Sequence, residues 1–197
     1  MSDRSAEVER ETGETSVSVA LDVDGTGETD VDTGVTFFDH MLEALAVHGR
    51  FDLDVDADGD VDATGPHHTV EDVGITLGRA LEKALGDKGG IARFGDARAP
   101  LDEALASVTV DVSGRAYYVP DVALDGDAIH DMEAEMVPHF FRSVAHNAGL
   151  TLHVESHGDN DHHVAEALFK AFALALDRAT RPDDRGEGAP STKGSLE

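Results

Sequence analysis

The chain has 197 residues, 40% of them hydrophobic, which suits one domain or two small ones built around a real core. It carries 41 Asp and Glu against 15 Lys and Arg, a formal charge of −26, and a field of that sign repels nucleic-acid phosphates. The absence of cysteine removes disulfides, thiolate metal sites and Cys nucleophiles together.

No apolar run approaches the roughly 18 residues that span a bilayer, and the charged opening MSDRSAEVERE does not read as a secretory signal. A cytoplasmic protein with no membrane or nucleic-acid partner is expected. The acids are spread along the chain, and such self-repulsion needs screening. At molar salt the Debye length falls to about 3 Å, so the charge reads as adaptation to a salt-rich, halophilic cytoplasm rather than as a sign of activity. Aromatics make up only 5%, with no Trp, so the core is expected to rest on Val, Leu, Ile and Ala.

Residues 1–13 read as a flexible N-terminal tail. SVSVALDVDG (16–25) then alternates like a half-buried strand ending in an Asp/Gly turn, and LDVDGTGETD reads as a hairpin turn. VTFFDHMLEALAVHG (35–49) has helical spacing and stops at Gly49. FDLDVDA (51–57) alternates as a strand with its acids outward. HHTVEDVGITLGRALEKALG (67–86) reads as a long amphipathic helix closed by Gly86. Segment 86–102 is a connector. The order then repeats: strand 103–115, helix 137–149, strand 150–156, helix 162–180, and a polar tail over 181–197.

His40 and His139 stand 99 residues apart, and His67 and His162 stand 95 apart. An internal duplication is the simplest reading, with a first repeat over 14–94 and a second over 95–180. The expected fold is α+β, as two pseudo-duplicated halves. Each half is a mainly antiparallel sheet with two helices packed on one face.

The chemistry lies in the eleven histidines. His67-His68-x-x-Glu71 and His162-His163-x-x-Glu166 are one motif, H-H-x-x-E, at the starts of equivalent helices. Residues i and i+4 lie about 40° apart around a helix and i+1 about 100° away. His67 and Glu71 can therefore grip one ion while His68 points to a second ion or a neighbouring subunit, and His162, Glu166 and His163 repeat the arrangement. His40 and His139 stand near the starts of the other helices. That makes eight ligands, four from each half, for two pseudo-equivalent sites, and mixed N/O sets suit Mn, Fe or Zn.

Asp54-x-Asp56-x-Asp58-Gly59 resembles the opening of a calcium loop, but its twelfth position is Gly65 rather than Glu, so it reads as a strand end. Phosphate-binding loop, serine-hydrolase elbow and H-E-x-x-H patterns are missing. The scarce cations Arg93, Arg115 and Lys170, with Ser191 and Lys193 in the tail, suggest a pocket for a phosphorylated small substrate.

At these residues the sequence resembles the imidazoleglycerol-phosphate dehydratase family. The stretches FFDHMLEALAVHGRFDL, HHTVEDVGITLGRAL, RFGDARAPLDEALASVTVDVSGRAYY, PHFFRSVAHNAGLTLHVE, HHVAEALFKAFALAL and the terminal STKG cover nearly the whole chain in family order. The resemblance implies a hydro-lyase of histidine biosynthesis with two Mn(II) ions per active site. It also implies a homo-oligomer of 24 chains with sites shared between subunits.

Within that resemblance His40, His67, His68, Glu71, His139, His162, His163 and Glu166 are the metal ligands. Arg93, Arg115, Lys170, Ser191 and Lys193 bind the phosphate, and Glu14 is an active-site glutamate. Many members carry Asp before the first H-H where this chain has Pro66, which removes a possible partner for the ligands. The implied reaction expels the hydroxyl of imidazoleglycerol phosphate through an imidazolate held between the ions. Glu14 shuttles protons there, with Glu71 or Glu166 as rivals. A two-metal phosphoesterase, or an assembly merely stapled by metal, would also use His/Glu clusters.

Overall fold

The computed structural model describes residues 4–183, Gly188 and Ser191. The first half comprises β1 (Ser5–Glu11), β2 (Thr15–Asp22), β3 (Thr29–Asp32), α1 (Thr36–Gly49), β4 (Asp52–Gly59), a single turn α2 (Val61–Thr64) and α3 (His67–Leu85). The second comprises β5 (Phe94–Leu101), β6 (Ala104–Asp111), β7 (Tyr117–Asp121), the short pair β8 (Ala128–Ile129) and β9 (Met132–Glu133), α4 (Met136–Ala148), β10 (Thr151–His157) and α5 (Asp161–Thr180).

The sheets run β1-β2-β4-β3 and β5-β6-β10-β7. In each, the first three strands are antiparallel and the fourth joins in parallel. The duplication is thus a repeat of topology, strand for strand. Among the described residues, no helix is long and apolar enough to cross a membrane.

Alternation explains the strands. Thr15, Val17, Val19 and Leu21 turn inward from β2, and Leu53 and Val55 from β4, while Asp54 and Asp56 face out. In β6 the inward set is Ala104, Ala106, Val108 and Val110.

Three expectations are revised here. Residues 5–11 are not a loose tail: they form edge strand β1, paired along its whole length with β2. The connector 86–102 contains β5, the edge strand of the second sheet. The 21–30 segment is not a hairpin, because β3 pairs with β4 on the far side of the sheet.

The helices cross between the halves. α3 packs on its own sheet but pairs with α4, and α5 packs on β5 and β6 but pairs with α1. The α3–α4 approach is close because Gly74 and Gly78 face α4. A Cβ on Gly78 would stand 2.8 Å from both Asn147 Cβ and Val144 O. Phenylalanines fill the centre: Phe38 of α1 meets Phe140 of α4 edge-on at 5.3 Å, and Phe140 stacks on Phe169 of α5 at 5.2 Å. Phe38, Phe140, Phe141, Phe169 and Phe172 are all buried. The aliphatic core expected from composition therefore has an aromatic middle, and it belongs to both halves.

Candidate metal centre

The crossed helices bring six of the eight candidate ligands together in two triads. In the first, His40 of α1 meets His162 and Glu166 of α5: His40 Nε2 and His162 Nε2 lie 3.5 and 3.2 Å from Glu166 Oε2. In the second, His67 and Glu71 of α3 meet His139 of α4, with Nε2 atoms 3.9 and 3.4 Å from the two carboxylate oxygens of Glu71. Within each triad the candidate ligand atoms all lie within 4.8 Å of one another.

The sequence pattern grouped four ligands within each half; the structure instead builds each triad from both. The reason is the helix pairing. Equivalence by duplication says which residues correspond, and packing decides which helices touch.

The helix starts aim these side chains. Asn160 accepts hydrogen bonds from the His162 and His163 amides through Oδ1, so α5 begins where its ligands begin. α3 has Pro66 before its first residue and no side-chain cap. At the start of α1, Asp131 accepts from the Thr36 and Phe37 amides at 2.7 and 3.0 Å. Burial raises the Asp131 carboxyl, but these amides outweigh it and hold the group below its ordinary value.

His68 and His163 stand outside the triads, each with a carboxylate on Nδ1. His68 is 3.3 Å from Asp60, and His163 is 2.9 Å from Glu103. Hydrogen bonding to Glu103 raises the His163 imidazole above its usual value and lowers the carboxyl in turn. The substitution at Pro66 therefore does not leave His68 without an acidic partner. Its counterpart Asp161 is not such a partner either, because it accepts from the amides of Asp125 and Gly126.

The donor chemistry fits a borderline divalent cation. Two imidazoles and one carboxylate per triad suit such an ion. In addition, the buried His139 Nε2 makes no hydrogen bond although it faces Glu71, which is how a ring nitrogen reserved for an ion is placed. Each triad borders a cleft. The first opens at His40, His130 and His162 with a volume of about 530 Å³, and the second at His139, Tyr118 and Arg142 with about 470 Å³.

A family profile described as imidazoleglycerol-phosphate dehydratase matches residues 33–176. The chain belongs to the imidazoleglycerol-phosphate dehydratase family. With it the chain belongs to the hydro-lyases. It is 55% identical over 195 residues to the imidazoleglycerol-phosphate dehydratase of Acetivibrio thermocellus, covering 98% of this chain and all of that one. It is 55% identical to that of Halobacterium salinarum over the full length of both. The crystal structure of the Staphylococcus aureus enzyme superposes with a TM-score of 0.82 at 35% identity, over 90% of this chain and 99% of that one.

The remaining residues that the family resemblance points to are dispersed. Glu14 is exposed at the tip of the β1–β2 turn. The strands flanking that turn are tied to α3 by Arg10 and Thr15, which both bond Asp72, the neighbour of Glu71. Arg93 forks onto Asp111 at 2.6 and 3.0 Å and lies over Phe94. Arg115 is exposed after β6, and Lys170 bonds Glu166 at 2.6 Å. Arg93 and Lys170 thus enter separate ion pairs, with Asp111 and with Glu166. Ser191 is described but Lys193 lies outside the described residues.

Sequence reasoning missed Asp60, Glu103, Asp131 and His130, whose Nε2 lies 2.9 Å from His162 Nδ1. None of them sits in the repeated motif, and the high histidine count was the one available signal for His130.

Proposed function

We propose that this chain dehydrates imidazoleglycerol phosphate to imidazole-acetol phosphate in the cytoplasm, as a step of histidine biosynthesis, at a centre holding two Mn(II) ions. The observation that carries this reading is the pair of His/His/Glu triads in a member of this family. His40, His162 and Glu166 would hold one cation, and His67, Glu71 and His139 the other. Such ions supply Lewis acidity toward the substrate's ring nitrogens and hydroxyl, and a template that keeps them in register.

His68 and His163 belong to neither triad, and each has a carboxylate at its Nδ1. That is the posture of an imidazole oriented to ligate through Nε2. We assign them to the ions of neighbouring subunits, in a homo-oligomer of 24 chains.

The chemistry is demanding because the C–H bond that breaks is not beside a carbonyl. Its proton passes to a carboxylate, its electron pair forms a C=C bond as the C–O bond breaks, and the departing hydroxide takes up a proton and leaves as water. The resulting enol then becomes the ketone by moving its O–H proton to carbon. Glu14 is the proposed shuttle, being exposed on a hairpin fastened to α3 beside Glu71. Lys170 favours the ionised form of Glu166. Burial raises that carboxyl, but the Lys170 bond and charge, with His162 and His40, hold it below its ordinary value. Arg93, Arg115, Ser191 and Lys193, with Lys170, are assigned to the phosphate.

The test is turnover at molar KCl, chosen to screen the charge of −26, with protein stripped by EDTA and then given Mn(II). Keto-phosphate appearing only after Mn(II) returns is the expected result. Inorganic phosphate instead would indicate a two-metal phosphoesterase, and no reaction with Mn(II) bound would leave a structural metal. Glu14→Gln should lower kcat by more than about 100-fold with bound Mn(II) unchanged; near-normal turnover would remove Glu14 from the mechanism.

A further inference from the structure

The β8–β9 pair has no counterpart in the first half, where β3 passes into α1 after three residues. Its turn holds His130 at φ 55°, in the left-handed region that favours glycine. A bulky residue persists there only where its surroundings fix it, and such positions cluster at functional sites.

The surroundings here are specific. His130 Nε2 stands 2.9 Å from His162 Nδ1. The Phe37 ring lies 5.4 Å from the His130 ring and 5.2 Å from that of His162, so one apolar face backs both imidazoles. The next residue, Asp131, caps α1 through the Thr36 and Phe37 amides. One turn thus touches both helices of the first triad, α1 through Asp131 and α5 through His130. Among the described residues the second triad has no such turn beside His67.

We propose that His130 is a positioning residue for His162. A neutral imidazole offers a lone pair on one nitrogen only and carries its proton on the other. With His130 Nε2 accepting the Nδ1 proton of His162, the Nε2 of His162, 3.2 Å from Glu166 Oε2, would give its lone pair to a cation held between the two in place of the proton it shares with Glu166 in the metal-free protein. Ligating histidines commonly give this second proton to a carboxylate or carbonyl, and losing that partner weakens metal binding by about 10–100-fold. Here a second imidazole takes the part. The inference rests on the proposed metal role of the His40/His162/Glu166 triad.

The experiment is a Mn(II) titration without substrate, on wild type, His130→Gly and His130→Gln, with the melting temperature of each metal-free protein. Glycine suits φ 55°, so His130→Gly should melt no lower than wild type. It should nonetheless bind one of the two classes of Mn(II) about 10-fold more weakly and leave the other class unchanged. His130→Gln, which keeps an acceptor on a side chain of similar reach, should recover most of that loss. Unchanged affinity in His130→Gly overturns the proposal alone. So does equal weakening of both classes with a lower melting temperature, or a Gln variant no better than Gly. A wild type that binds no Mn(II) overturns the metal reading itself, and the proposal with it.

Discussion

The two triads share ligand types and helical positions, yet their surroundings differ. Glu166 is only 14% exposed, takes a hydrogen bond from Lys170, and sits beside a His162 whose second nitrogen meets His130. Glu71 is 39% exposed, and the α3 position matching Lys170 is Ile75. There the partner is the half-buried His139, whose buried Nε2 makes no hydrogen bond. The duplication therefore preserved the ligands while substitutions and the inserted hairpin changed the electrostatics around one of them. A carboxylate that already shares its charge with a lysine offers less to an ion than one that does not, and the two triads should differ in affinity.

The largest effect should come from removing the carboxylates in turn. Glu71→Gln and Glu166→Gln should each release about one of the two Mn(II) ions per chain, measured by elemental analysis, and bring keto-phosphate formation close to background. Retention of both ions by either variant would break the assignment of triads.

Next in size is Lys170→Met. It leaves Glu166 mostly buried without its cation, so metal-free protein should lose about 1–3 kcal/mol in urea unfolding. Mn(II) should then recover part of the loss by binding the freed carboxylate. An unchanged midpoint would show that Lys170 and Glu166 are not coupled.

The smallest effect separates the halves by pH. Asp52 opens β4, and its carboxylate accepts from the amides of Thr26, Gly27 and Glu28 at 2.7, 3.0 and 2.9 Å. These bonds, the Thr26 amide first, hold its pKa below the ordinary value of 3.8. The matching residue at the start of β10 is Thr151, whose hydroxyl donates to Arg115 O and cannot titrate. A lowered folded pKa contributes stability that is complete above the unfolded pKa and lost as pH falls through the folded one. Asp52→Asn should therefore narrow the fall in urea midpoint between pH 5 and pH 3 relative to wild type, whereas Thr151→Val should leave that fall unaltered. Equal slopes in all three proteins would remove Asp52 from the acid response.

What the sequence revealed and what it hid follow from the same physics. Strands β2, β4 and β6 alternate cleanly, and the four long helices carry strong apolar stripes, so these elements were legible. β1 was not, because one of its inward-side residues is Arg10, paired with Asp72 rather than with apolar neighbours. β5 was hidden by small residues: Gly95, Ala97 and Ala99 face α5, and a Cβ on Gly95 would collide with Ala175 O. Small side chains let the helix approach and leave little hydrophobic signal.

At the site, every triad member could be named from the repeated motif and its companion histidines. Their partition into triads could not, since a one-dimensional repeat does not state which helices pack. His130 was invisible for the complementary reason, having no twin in the other half.

The crossing of helices has a consequence for how such a chain can be subdivided. Exchanging the halves maps α1 onto α4 and α5 onto α3, so it carries the first triad onto the second. A polypeptide of one half would own His, His and Glu in the right number but on helices that do not bring the three together. It would also leave uncovered the aromatic surface around Phe38 or Phe140. Two copies joined about a twofold axis would restore both at once. The single chain is in this sense a covalently tethered dimer, with its two His/His/Glu triads at the seam.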